Sequence, residues 1–352
     1  MDNNNRNKNA IYSLVLVLAV VGVFLYRKYN EPNPTKKEPE VLIEKIKLLG
    51  ETMGTYYTIA YFDSLNRNFQ KEVDSVLIDY NNSLSTYIPN SEISRFNKQD
   101  SVVFSFPYFY PVMKRSAEIY KITGGAFNPT VMPLVNAWGF GPERKSEVPQ
   151  TLVDSLLDLV SFESLEYDES GISKSKKGVS LDFSAIAKGN GIDVIADYLK
   201  AQNISNFMVL IGGEANCLGG NEDGKGWVIG IDNPKFAEKG GAEGIGYFAL
   251  KDKSVATSGN YRRFYVKDGK KYAHTIDPKT GFPVSHSLLS ATVFAPDCTT
   301  ADAYATAFMV IGLEKATELV LNDNSLEAFF VYDSAGKMKT YTTEKAQAWQ
   351  LE

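Results

Sequence analysis

The chain has 352 residues, 37 Lys and Arg against 42 Asp and Glu, a formal net charge of −5, and 44% hydrophobic residues. The acidic balance argues against nucleic acid as the main partner, since a phosphate-binding surface carries basic excess. The ordinary hydrophobic fraction excludes disorder as the dominant state. With two histidines (His274, His286) and two cysteines (Cys217, Cys298), the chain can build no three-histidine zinc site, no cysteine-rich site and no disulfide framework. A metal here is expected to be a hard cation held mainly by oxygen.

Residues 11–26 carry no charge and lie between Arg6, Lys8 and Arg27, Lys28. As a helix this run reaches about 24 Å, a little short of a bilayer core of about 30 Å. Tyr12 and Tyr26 suit the two interfaces. Neither a small-residue cleavage site nor a lipoprotein cysteine follows, so residues 1–28 read as an uncleaved signal anchor, with a cleaved signal peptide as the alternative. Basic residues on both sides leave the orientation open. Residues 29–40 hold Pro32, Pro34 and Pro39 among mixed charges, which reads as a tether. The folded part, 41–352, is expected to begin near Val41.

Strand-like runs at 42–49 and 55–62 flank a turn in GETMGT and predict a hairpin. Phe69, Val73, Val76, Leu77, Tyr80 and Leu84 recur at helical spacing and predict a helix over 67–84. Further helices are expected at 108–122 and after Pro149, and short strands within 162–182, ending at Asp182. A helix over 187–201 places Ile192, Ile195, Ala196 and Leu199 on one side. Strands follow at 206–211, 226–232, 247–251, 261–266, 271–276 and 290–295. Helices at 300–311 and 313–322 precede a strand at 327–332. Helices and strands alternate irregularly, which predicts an α+β fold rather than regular βαβ units.

Four stretches carry possible chemistry. In TTADAYATAFMVIG (299–312), Thr299 or Thr300 can cap a helix, and Asp302 and Thr306 share a face four residues apart. Their oxygens suit Mg²⁺ but are too few to close a site; equally, Asp302 suits a helix dipole and Thr306 helix packing. In LDFSAIAKGNGIDVIADYL (181–199), small residues lead to Lys188 at a helix start, where free N–H groups and a lysine favour an anion; equally, the stretch suits an ordinary strand–helix corner with a solvent lysine. VLIGGEANCLGGN (209–221) pairs its glycines either for close backbone approach or for turns. In 256–284, His274 sits near the turn Asp277–Gly281 and is a candidate general base or a structural histidine.

These stretches occur in one order with Met53-Gly54-Thr55, SLSTYIPNSEISRFN (83–97), GGAFNPTVMPLVNAWGFG (124–141), WVIGIDNP (227–234) and HTIDPKTGFP (274–283). Over about residues 50–335 the chain resembles the ApbE family, the FAD:protein FMN transferases. The resemblance implies a T-fold-like arrangement of mixed and antiparallel sheets packed with helices. It also implies a Mg²⁺-dependent enzyme that moves the FMN half of FAD onto a threonine or serine hydroxyl of a target protein, releasing AMP. By the same resemblance the metal contacts are the Ala185 carbonyl, Asp302 and Thr306, and the FAD-lining positions are Met53, Tyr87, Ala126, Phe127, Asn128, Asp182, Lys188 and Ile276. His274 is then the residue that deprotonates the incoming hydroxyl. Asn128 departs from the aspartate common in the family, and Ser184-Ala185 from a glycine pair. The chain holds no acceptor-like D-G-x-[ST]-G-[AS]-T segment, so the acceptor is expected to be another protein, a subunit of a membrane electron-transfer complex. An anchor in the bacterial inner membrane with the catalytic domain on the extracytoplasmic side fits that expectation. Hydrolysis of FAD to FMN and AMP, and flavin binding without turnover, are the alternatives.

Overall fold

The computed structural model describes residues 3–30, 44–140, 148–237, 243–260, 264–267 and 270–351. The chain divides into two units, Met1–Leu42 and Ile43–Glu352. In the first, a helix spans Asn3–Asn30. Its stretch Ile11–Asn30 is long and apolar enough to cross a membrane by length and composition. A secretory signal sequence has the same properties, so the helix suits an anchor and a signal alike. Most of the tether expected at 29–40, and the expected start at Val41, lie outside the described residues.

The second unit is organised by one eight-stranded sheet. Its strands are Lys45–Thr52, Thr55–Phe62, Phe207–Ile211, Glu214–Leu218, Lys253–Gly259, Leu288–Ala295, Glu327–Ser334 and Lys337–Thr342, adjacent in that order. Every neighbouring pair is antiparallel. The predicted hairpin closes on Met53-Gly54, with φ of 51° and 72° between the paired Thr52 and Thr55. Positive φ at both central residues gives the turn whose twist matches the flanking strands. Gly212-Gly213 does the same between Ile211 and Glu214, with φ of 64° and 116°.

Alternation along the strands sends residues to opposite layers. Tyr57, Ile59, Tyr61, Val209 and Ile211 pack with Val73 and Leu77 of helix Gln70–Leu84 and with Ile192, Ile195, Ala196 and Leu199 of helix Ala187–Ala201. Ala60, Ala215, Phe294 and Phe329 face the other way. They pack with Trp227, Ile229 and Phe248 of a three-stranded sheet formed by Trp227–Asp232, Gly244–Leu250 and Gln350–Leu351. This is α+β architecture, as the irregular element order implied.

Several expectations shift. The strand expected to end at Asp182 does not form. Instead the Asn97 side chain takes both backbone groups of Leu181: Leu181 N donates to Asn97 Oδ1 at 2.7 Å, and Asn97 Nδ2 donates to the Leu181 carbonyl at 2.9 Å. A side chain thus replaces a partner strand. Of the hairpin expected over 261–276, Phe264–Lys267 pairs with Lys270–Ala273, and the second strand ends before 276; residues 261–263 and 268–269 lie outside the described residues. Cys217 and Cys298 are both free and buried.

Candidate active site

Two helices meet at a glycine to form the centre of the site. The first, Ala187–Ala201, carries Lys188 and is here called the lysine helix; the second, Cys298–Ile311, carries Asp302 and is called the aspartate helix. The aspartate helix is capped by Asp297, not by Thr299 or Thr300. Asp297 Oδ1 accepts from Thr300 N at 2.7 Å and from the Thr300 hydroxyl at 2.6 Å. The helix therefore begins earlier than expected, and Asp302 stands beyond its first turn.

A second carboxylate fixes the same helix end from outside. Asp193, on the lysine helix, accepts from Cys298 N at 2.9 Å, Thr299 N at 2.7 Å and Thr299 Oγ1 at 2.6 Å. Asn216 Nδ2 completes the set at 2.9 Å. The first N–H groups of a helix have no partner within it, and Asp193 supplies one for two of them. Burial pushes the Asp193 carboxyl up, and the bonds from Thr299, Cys298 and Asn216 oppose that.

Gly189 is the crossing point. A Cβ there would lie 2.2 Å from the Cys298 carbonyl oxygen and 2.8 Å from Asp302 Cβ, so only glycine fits. Its N–H donates to Asp302 Oδ2 at 2.9 Å. Gly189 lies in the first turn of the lysine helix, where an amide has no partner within the helix, and Asp302 supplies one. The helical ladder starts one residue after Ala185, with Asn190 N donating to the Ile186 carbonyl at 3.0 Å, so the Ala185 carbonyl takes no part in it. On the other side of the lysine helix, Gly191 admits Met53, whose Cε would be 2.5 Å from an added Cβ. Tyr80 Oη holds the same turn, 2.8 Å from the Ala187 carbonyl and 3.0 Å from Asn190 Oδ1.

Lys188 sits between two buried carboxylates. Its Nζ is 3.1 Å from Glu214 Oε1 and 3.8 Å from Asp302 Oδ1. Burial pulls the lysine down, but the charges of Asp302 and Glu214 more than reverse this, so it stays an ammonium. Burial pushes the Glu214 carboxyl up, against the pull of Lys188. One turn beyond Asp302, the Thr306 hydroxyl lies 2.9 Å from the Ser258 hydroxyl.

These donors fit a hard divalent cation. Among the described residues no group of three or more His, Cys, Asp or Glu side chains is arranged to hold a metal. A cation here must therefore draw on carbonyl and hydroxyl oxygens as well, and the Ala185 carbonyl, Asp302 and Thr306 offer that mixture. The excess of buried carboxylate over ammonium also favours a positive guest.

The expected FAD-lining residues occupy several layers. Asp182 Oδ1 accepts from Ser184 N at 2.8 Å and from its hydroxyl at 2.5 Å, closing the turn that leads into the lysine helix. Asp182 N donates to the Pro129 carbonyl at 2.8 Å, which ties this turn to Asn128-Pro129. Asn128 Oδ1 accepts from Thr130 N at 2.9 Å and from Thr130 Oγ1 at 2.7 Å. An aspartate would accept the same bonds, so the amide keeps this local role. Phe127 is in the main core, and Ala126 is buried. Ile276 packs with Leu134, Trp138 and Val153, and its backbone bridges to Pro283. Tyr87 is 66% exposed and presents an open ring. The His274 ring meets Phe140 edge-on at 6.3 Å. The next residue anchors it in place, since Thr275 Oγ1 donates to Asn260 Oδ1 at 2.9 Å.

Glu214, Ser258, Gly189 and Asp193 do not stand out in the sequence. The acidic residue directly after the glycine pair in LIGGEA is the available signal for Glu214. The others depend on contacts between distant segments.

The ApbE family model matches residues 53–330. FAD:protein FMN transferases from Haemophilus influenzae and Vibrio cholerae are each 37% identical to this chain. The first alignment covers 81% of this chain and 86% of the relative; the second covers 85% and 91%. Among solved structures, the flavin transferase ApbE of Vibrio cholerae matches with a TM-score of 0.75 at 35% identity, covering 87% of this chain and 99% of that one. It has also been solved as a histidine-to-glycine mutant. The apo form of the Pseudomonas stutzeri flavinyl transferase ApbE matches with a TM-score of 0.76 at 30% identity, covering 87% and 96%. Sequence and fold agree over the segments that build the site: the chain belongs to the ApbE family.

Proposed function

We propose that this chain is a Mg²⁺-dependent FAD:protein FMN transferase that joins FMN through its phosphate to a threonine or serine hydroxyl of another protein and releases AMP. The observation that carries this reading is the Gly189 amide bond to Asp302. It orients Asp302 at the start of the lysine helix, while Lys188 Nζ stands 3.8 Å from the same carboxylate.

Asp302, Thr306 and the Ala185 carbonyl would hold the cation. When bound, Mg²⁺ supplies charge neutralisation for the pyrophosphate and for the departing AMP. Lys188, 30% exposed on its side chain, presents its ammonium to the same phosphates. His274 accepts the proton of the acceptor hydroxyl as the hydroxyl oxygen attacks the FMN phosphorus. The bond from that phosphorus to the bridging oxygen breaks, and its electron pair leaves with AMP. Met53, Asn128, Asp182 and the backbone at Ala126, Phe127 and Ile276 would line the dinucleotide, with Tyr87 free to stack on a ring. The histidine-to-glycine mutant among the relatives supports a role for a histidine, and this chain has two.

The helix Asn3–Asn30 suits attachment to the bacterial inner membrane, with the catalytic unit on the extracytoplasmic side and a membrane electron-transfer subunit as acceptor. The test is incubation of the full chain with FAD, Mg²⁺ and an acceptor domain carrying a D-G-x-[ST]-G-[AS]-T threonine. AMP formed in equal amount to flavin-labelled acceptor supports transfer. AMP formed at the same rate without acceptor overturns it in favour of hydrolysis.

A further inference from the structure

Glu214 opens the strand Glu214–Leu218 directly after the Gly212-Gly213 turn, and its side chain is 7% exposed. Oε1 bonds Lys188 Nζ at 3.1 Å, whereas Oε2 is buried with no hydrogen-bond partner. Lys188 Nζ stays 3.8 Å from Asp302 Oδ1, beyond hydrogen-bonding distance. The lysine is thus bonded to one carboxylate and only attracted by the other.

We propose that Glu214 is a positioning residue that holds Lys188 off the Asp302 carboxylate and so keeps Asp302 open to a divalent cation. The inference rests on the reading of Asp302 as a cation ligand. Lysine is a compact point charge on a flexible stem and pairs with whichever carboxylate remains. Without the Glu214 charge, the ammonium closes the short gap to Asp302, and a cation must then displace it. The glycine turn places Glu214 where it can do this. Gly212 and Gly213 take backbone angles that other residues rarely adopt, and they deliver the first residue of the strand to the lysine helix at a fixed height. The carboxylate is held by a strand and the ammonium by a helix, so the spacing is set by rigid elements.

The test is Mn²⁺ titration followed by electron paramagnetic resonance of free Mn²⁺, using the full chain without FAD. Glu214→Gln is expected to bind Mn²⁺ about 10- to 100-fold more weakly, the usual range for loss of a group that supports a metal ligand. Removing the lysine as well, in Glu214→Gln/Lys188→Met, is expected to restore the affinity, which a merely structural role for Glu214 would not do. Unchanged affinity in Glu214→Gln, or no recovery in the double variant, overturns the proposal. Should circular dichroism show Glu214→Gln unfolded, Lys188→Met alone decides: binding at least as tight as the parent supports the proposal, and weaker binding overturns it. Asp302→Asn separates the two levels. If it binds Mn²⁺ like the parent, the ligand assignment itself fails, and the role of Glu214 falls with it.

Discussion

Gly189→Ala tests the crossing of the two helices. The added Cβ starts 2.2 Å from the Cys298 carbonyl oxygen, and ordinary contact begins near 3.4 Å, so the helices must part by roughly 1.2 Å. Neither neighbour can give way alone, because one is backbone and the other is the Cβ of buried Asp302. The bond from Gly189 N to Asp302 Oδ2, now 2.9 Å, then stretches beyond hydrogen-bonding range. Overpacking costs about 1–3 kcal/mol, and losing a bond to a charged acceptor about 1.5–3 kcal/mol. Alanine's better helix propensity returns about 1 kcal/mol. The net is a loss of about 2–5 kcal/mol, or a fall of about 3–8 °C in Tm for a domain of this size. Thermal unfolding of parent and variant, with and without Mg²⁺, reads it. A variant as stable as its parent, with Mg²⁺ stabilising both equally, would refute the close crossing and the orienting role of the Gly189 amide together.

Asp302→Asn is expected to lower Mg²⁺-dependent AMP release by about 100-fold or more while the fold persists; full activity at saturating Mg²⁺ contradicts the ligand assignment. His274→Ala is expected to keep FAD affinity and to lose transfer by about 100-fold or more, read as a fall in kcat without a rise in KM; unchanged transfer removes His274 as the base. Asp63 governs acid stability. Arg67 grips it through Nε at 2.8 Å and Nη2 at 3.1 Å, and Arg67 N adds a third bond at 2.9 Å. Led by the Arg67 side-chain bonds, these hold the carboxyl at about 2 rather than 3.8. A folded pKa below the unfolded one stabilises above about pH 4, and that contribution disappears as pH falls from about 4 toward 2. Because Arg67 is one-third exposed, solvent screening limits the effect to about 1–2 kcal/mol. Asp63→Asn is expected to flatten urea midpoints across that window, and an equally steep acid loss in the variant rules Asp63 out as its source.

Long elements were legible because their burial is one-sided. The helix expected at 187–201 forms as Ala187–Ala201, and the strand at 55–62 as Thr55–Phe62, since apolar spacing records which face meets the core. Glu214–Leu218 escapes such a reading because EANCL is short and nearly every side chain in it is buried, so it shows no alternation. Lys253–Gly259 escapes it because KSVATSG is small and polar. Asp302 and Thr306 were visible as a helical pair. The bond that orients Asp302 was not, because it joins residues 113 positions apart. Glu214 meets Lys188 only when a glycine turn and a helix start come together in space. A sequence names the side chains capable of chemistry, whereas their partners across the fold appear only once the segments pack.

The most direct test of the account is the intact mass of an acceptor domain after incubation with the full chain, FAD and Mg²⁺, with peptide mapping to locate any change. The expected result is a gain of one FMN phosphoester on the acceptor threonine, abolished by EDTA and by Asp302→Asn. An unmodified acceptor beside AMP and free FMN, or a mass gain that survives both EDTA and Asp302→Asn, would contradict it.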